Sequence, residues 1–148
     1  MLKGIHPLLG PDLLHALQSM GHGDDIAIVD ANFPAHSMGP KVIRADGVDA
    51  LAMTEAVLAH MPLDTFVPDV AWRMQVVGDP DAVPPVCVEF QNIVNRLAGD
   101  FTVRSVERFA FYEMTRKAAY IIATTEFRLY GNIILKKGVL HPHEVHTV

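Results

Sequence analysis

The sequence predicts an α/β fold: a single-domain three-layer α/β/α sandwich around a largely parallel or mixed sheet. Three observations predict it. Short apolar runs such as Ile26-Ala27-Ile28-Val29 and Ile133-Ile134-Leu135 do not alternate with polar residues, so they read as strands buried on both faces. Helical stretches stand between such runs from one end of the chain to the other. The 148 residues, half of them hydrophobic, suffice for one substantial core. No linker separates two apolar cores, and there is no internal repeat. The domain is expected to cover residues 1–140, with 141–148 as a flexible tail.

Gly10-Pro11-Asp12 opens a first helix, with proline at a first-turn position and an acid near the positive end of the dipole. Leu13, Leu14, Leu17 and Met20 follow at helical spacing, and Gly21 is the expected stop. The first strand ends at Val29. A polar loop over residues 31–40 holds two prolines and is too long for a tight turn, so it reads as site-building. Val42-Ile43-Arg44 is a short strand closed by Asp46-Gly47. Residues 49–60 form a helix ended by Pro62, and 71–77 a strand with Trp72, Met74 and Val76 on one face. The turn-rich 78–85 segment leads to a helix over 86–98, closed by Gly99. A strand over 102–106, a helix or irregular turn over 108–117, and a strand over 120–124 follow. Tyr130-Gly131-Asn132 is a turn before the last strand.

Composition narrows the function classes. The net charge is −5 and the basic residues are scattered, so no basic stripe is offered to a nucleic-acid backbone. No apolar run reaches the ~18 residues of a membrane span. The lone Cys87 rules out an internal disulfide framework, suits a reducing compartment and reads as a quiet core thiol. A cytoplasmic protein is the expectation. The apolar content points to burial of one face in a self-association contact.

The residues able to carry chemistry form two groups. His22 lies between two glycines, where a ligand can approach and imidazole can exchange protons near neutral pH. It could equally cap the first helix. Asp30 ends a buried strand, where open α/β sheets gather binding groups, though it could simply start an Asx-turn. Late in the chain come Arg108 with its planar donor fork, Tyr112, and the pair Tyr130 and Asn132 about Gly131. Each also has an ordinary structural use. His36 and the tail imidazoles His141, His143 and His146, with Glu144, raise a metal possibility. Pro142 prevents a regular helix from presenting them together, and no HExxH or paired-cysteine spacing occurs. No metal site is therefore expected, and no cofactor either: P-loop, GxGxxG and GxSxG patterns are all missing, so a nucleotide cofactor is not indicated.

The stretches MGHGDDIAIVDANFPAHSMGP, VIRADG, LAMTEAVLAHMPLDTFV, ERFAFYE and LYGNIILKKGV resemble the sugar mutarotase family that includes L-fucose mutarotase and D-ribose pyranase. They run in the family's order over most of residues 8–139, and the fucose branch is the more similar. The resemblance implies a three-layer α/β/α fold and an isomerase that interconverts the α and β anomers of a free monosaccharide, L-fucose. It implies His22 as the proton donor, with Tyr112 or Tyr130 as partner. Asp30, Arg108, Tyr130, Gly131 and Asn132 would hold the sugar, with Asp64 of PLDTF linked to activity. It further implies ring-like decamers with sites near subunit contacts. Departures lie in the 78–85 linker and beyond Gly138. The alternatives are D-ribose pyranase or a related mutarotase, a non-catalytic monosaccharide-binding protein, and a metal-dependent enzyme built on the histidines.

Overall fold

Among the described residues, six strands and four α-helices form where the apolar runs predict them. The computed structural model describes residues 2–145. Helix α1, Pro11–Ser19, starts at its proline and buries Leu13, Ala16 and Leu17, one stripe at i, i+3 and i+4. It ends earlier than Gly21 suggests, because Met20 is already extended. The left-handed residue after it is Gly23, with φ 84°. Strand β1 is Asp25–Val29 and β2 is Lys41–Ala45. Helix α2, Ala50–Leu58, is capped by Asp49, whose side chain accepts the Ala52 N–H at 2.7 Å. Strand β3 is Ala71–Met74. It stops short of Val77 because Val76 bridges back to Asp79 and the chain turns away.

Helix α3 is Pro85–Leu97 and β4 is Val103–Val106. The 108–117 segment is helix α4, Arg108–Arg116, started by Glu107, which accepts the N–H groups of Phe109 and Ala110. Strands β5, Tyr120–Thr124, and β6, Ile133–Lys136, complete the sheet. In the tail, Pro142–Glu144 form one 3₁₀ turn. The remainder of the tail expected over 141–148, from His146 onward, lies outside the described residues.

The sheet order is β2-β5-β1-β6-β3-β4. Strand β6 runs antiparallel to β1 and β3, while the other pairings are parallel. The central strands are covered on both sides, as their unbroken apolar runs require. Ile26 and Ile28 of β1 face a large core with α1, α2 and α3, centred on Phe90 and Met53. Ala27 and Val29 face a smaller core with Phe111 of α4 and Met38. Phe90 and Phe111 are wholly buried, and each contributes about 1.5–3 kcal/mol by leaving water. The layers are therefore unequal, with three helices on one face and one on the other. Among the described residues no helix is long and apolar enough to cross a membrane.

Candidate active site

The parallel strands leave their carboxyl ends on one rim of the sheet, and the loops there build a cleft of about 190 Å³. Asp30 follows β1 directly. Arg108 opens α4 just after β4, and Tyr112 lies one turn further along. Tyr130 and Asn132 precede β6, which enters the sheet from this rim because it is antiparallel. All five line the cleft with Asn32, Phe33, Pro34, Met74, Val77 and Leu129. Residues scattered from 30 to 132 thus meet where sheets of this kind bind ligands.

Asp30 and Asn132 hold each other in a reciprocal pair. The Asp30 N–H donates to Asn132 Oδ1 at 2.8 Å, and Asn132 Nδ2 donates to Asp30 Oδ2 at 2.9 Å. Asp30 Oδ1 also accepts the Asn32 N–H at 3.0 Å. Burial raises the Asp30 carboxyl above its ordinary value; the bonds from Asn32 and Asn132 oppose the shift and the nearby Glu126 charge adds to it. Asn132 is almost wholly buried and its amide is engaged by Asp30, so it orients that carboxylate within the cleft. Arg108 stacks its guanidinium on Phe109, 4.6 Å from the ring centre. Its Nε is buried without a hydrogen-bond partner among the described residues. A buried donor of this kind costs free energy until a ligand oxygen meets it.

Tyr130 has φ 65°, a left-handed conformation for a bulky residue and the sole such non-glycine among the described residues. Its hydroxyl accepts the Val77 N–H at 3.0 Å, which leaves its proton free to donate. In a Tyr-Gly-Asn turn the left-handed residue would ordinarily be the glycine. The structure puts the unusual backbone on Tyr130 instead and needs glycine next to it for space. A Cβ on Gly131 would stand 2.5 Å from the Glu126 Cγ.

His22 is elsewhere. It precedes β1, so the whole strand, about 13 Å at ~3.3 Å per residue, separates it from the Asp30 rim. Its Nε2 meets Asp64 Oδ1 at 3.0 Å, and its ring packs 5.2 Å from the Phe66 ring. Asp64 is buried, whereas the His22 side chain is 45% exposed. The Phe66 N–H bonded to Asp64, aided by His22, holds that carboxyl below its usual range despite burial. An ionised Asp64 fixes the proton of neutral His22 on Nε2 and leaves Nδ1 as acceptor. Asp64 therefore stands under His22, away from the cleft that holds the other expected sugar-binding groups. One chain does not bring His22 into that cleft.

Of the remaining expectations, Cys87 is buried on α3, where desolvation raises its thiol pKa. His36 is exposed on a 3₁₀ turn, Ala35–Ser37, and does not line the cleft. His141 and His143 stack at 5.7 Å. Sequence reasoning missed the apolar wall formed by Phe33, Met74, Val77 and Leu129. It also missed Glu126, wholly buried and forked by Arg128. The Arg128 guanidinium lowers the Glu126 pKa against the opposing effect of burial. No periodicity marks Glu126; its only signal is a charged pair two residues apart ahead of the Tyr130 turn.

Fold and cleft together define a small α/β protein with a polyol-sized, hydroxyl-matching pocket at the carboxyl rim of a mixed sheet. The chain belongs to the RbsD / FucU transport protein family, whose model matches residues 3–140. It is 46% identical to the fucose mutarotase of Bos taurus, covering 98% of each chain. It is also 46% identical to that of Homo sapiens, covering 94% of each. The crystal structure of the Streptococcus pneumoniae fucose mutarotase in complex with L-fucose superimposes with a TM-score of 0.89 at 40% identity, covering 95% of this chain and 100% of that one.

Proposed function

We propose that this protein is a mutarotase that interconverts the α and β anomers of L-fucose. The observation that carries the reading is the cleft, found in a chain 46% identical to fucose mutarotase over 98% of its length. Its buried Arg108 Nε, the Asp30 carboxylate and the free Tyr130 proton match the acceptors and donors of a ring of hydroxyls. Its apolar wall suits a sugar face and a methyl group.

The interconversion needs only protons to move. A donor protonates the ring oxygen while an acceptor takes the proton of the anomeric hydroxyl, and the ring opens to the aldehyde. After rotation about the bond to the carbonyl carbon, the same hydroxyl attacks the other carbonyl face and both transfers reverse. His22 supplies the acid/base function, its tautomer set by Asp64. Tyr130, with its phenol oxygen already accepting from Val77, serves as donor, and Tyr112 is the other phenol in reach of the cleft. General acid–base help of ~10²–10⁴-fold with positioning is adequate, since the reaction already proceeds in water.

In this reading the cleft of one subunit is completed by His22 of another, within the decamer that the family resemblance implies. Exposed Phe66 and Val67 beside His22, and exposed Val77, Phe109 and Leu129 around the cleft, support such a contact. A cytoplasmic site of action belongs to the same reading and rests on the single free cysteine.

Saturation-transfer NMR between the anomeric protons tests it. Added protein should raise the L-fucose exchange rate above that in buffer, with D-ribose and galactose less affected, and His22→Ala should remove at least ~10²-fold of the effect. Sugar binding without faster exchange would mark a binding protein instead, and an unchanged L-fucose rate overturns the proposal.

A further inference from the structure

The mutarotase reading uses Asp30, Arg108 and Tyr130 but gives no task to the most deeply buried carboxylate near them. Glu126 is 1% exposed. Its Oε1 accepts from the Arg128 backbone N–H at 3.0 Å and from Arg128 Nε at 2.8 Å, and its Oε2 accepts from Arg128 Nη2 at 2.8 Å. Arg128 is anchored in turn to Glu89 of α3 at 3.1 Å. These bonds close a tight loop over residues 126–131, finished by the Gly131 N–H donating to the Arg128 carbonyl at 3.3 Å. The Glu126 side chain fills the space against Gly131 where a Cβ would stand.

The backbone of Glu126 reaches the opposite wall of the cleft. Its carbonyl accepts the Ala31 N–H at 2.8 Å, directly after Asp30. Its N–H donates to Thr124 Oγ1 at 3.2 Å, and that hydroxyl donates to the Val29 carbonyl at 2.8 Å, directly before Asp30. One residue thus ties both flanks of Asp30 to the turn that carries Tyr130 and Asn132. A left-handed tyrosine persists only where its surroundings over-determine it. The Glu126–Arg128 fork beneath the turn supplies that constraint.

We propose that Glu126 is a positioning residue of the sugar site. Clamped by Arg128, it holds the 128–131 turn so that Tyr130 and Asn132 meet Asp30 in the geometry the ligand requires. It touches no substrate and acts through those three residues. The proposal rests on the mutarotase reading for its choice of ligand, L-fucose.

The test uses the full chain with Glu126→Gln, which keeps shape and loses the charge, and Arg128→Lys, which keeps charge and loses the fork. Glu55→Gln, which breaks an exposed pair with Arg96, is the control. Sugar-free amide NMR should show displaced Asn132 side-chain and Tyr130 signals in both variants and neither in the control. Exchange kinetics should show KM for L-fucose raised about tenfold in Glu126→Gln, less in Arg128→Lys, with kcat within about twofold. Unshifted Asn132 signals with unchanged KM in both variants overturn the proposal. So does a loss of kcat and KM together that merely tracks the melting temperature. Should Glu126→Gln not fold, Arg128→Lys decides by the same criteria. Should the wild-type chain fail to speed L-fucose exchange, the mutarotase reading falls, and the sugar-free Asn132 signals still decide the role of Glu126.

Discussion

His22 and Asp64 show how much one contact can set. Asp64 is buried under an exposed imidazole and takes hydrogen bonds from the Phe66 N–H and from His22, which lower its carboxyl from 3.8. A carboxyl whose folded pKa is depressed stabilises the fold above its unfolded pKa and loses that contribution as pH falls through the folded value. Asp64→Asn should therefore cost about 1 kcal/mol in urea unfolding at pH 7, and the gap to wild type should close as pH drops below about 4. A gap that persists undiminished at pH 3 would show that the charge of Asp64 is not what the fold uses. The same variant should slow L-fucose exchange through a misoriented His22. At this scale the sequence exposed the residue types able to carry chemistry but not their pairings. His22 stood out through its glycines and Asp30 through its strand end, both local signals. That Asn132 grips Asp30, and that Gly131 is glycine because Glu126 lies against it, are contacts between segments far apart or folded back, which no spacing reports.

Elements convert this chemistry into position. The alternation of buried strands and helices was legible because it follows from hydrophobic period, and the interior of each element lies where the period places it. Ends were less legible, since they depend on which partner takes the last hydrogen bond. Helix α1 halts at Ser19 although the glycine comes at 21, and β3 halts at Met74 where Val76 folds back on Asp79. Caps give a test at this level. Glu107 and Asp49 each cap a helix through side-chain bonds to its first turn, and replacing either by alanine should cost about 1 kcal/mol of unfolding free energy. Only Glu107 precedes a cleft residue, since Arg108 is the first residue of α4. Glu107→Ala should accordingly raise KM for L-fucose by a few-fold, whereas Asp49→Ala should leave it near wild type. Equal effects on KM would mean that α4 does not set Arg108. The direction of β6 was the feature of the sheet least visible in sequence: its apolar run reads the same parallel or antiparallel, yet only the antiparallel course brings Tyr130 and Asn132 to the Asp30 rim.

For the whole molecule, the separation of His22 from the cleft carries the sharpest consequence. The strand between them is central, paired on both sides and buried on both faces, so no hinge within a subunit can bring its two ends together. Either the acid/base group comes from a second copy or His22 does not act on sugar in this cleft. Mixing distinguishes the two. His22→Ala leaves each cleft intact, and Arg108→Ala leaves each His22 intact, so each variant alone should be nearly inactive under the shared-site proposal. When the two are unfolded and refolded together in equal amounts, the shared-site proposal has subunits combine at random in a closed assembly. A site is whole only when its cleft comes from a His22→Ala chain and its imidazole from an Arg108→Ala chain, which is a chance of one half for each. Exchange activity should then recover to about one quarter of wild type. It should vary with the mixing ratio as the product of the two fractions, peaking at equal amounts and falling symmetrically. A site built within one chain offers no such recovery at any ratio, because every chain would then carry a defect in its own site. A flat, inactive ratio series from properly refolded assemblies would therefore remove the shared site, and with it the role of His22 as acid/base group of a neighbouring cleft.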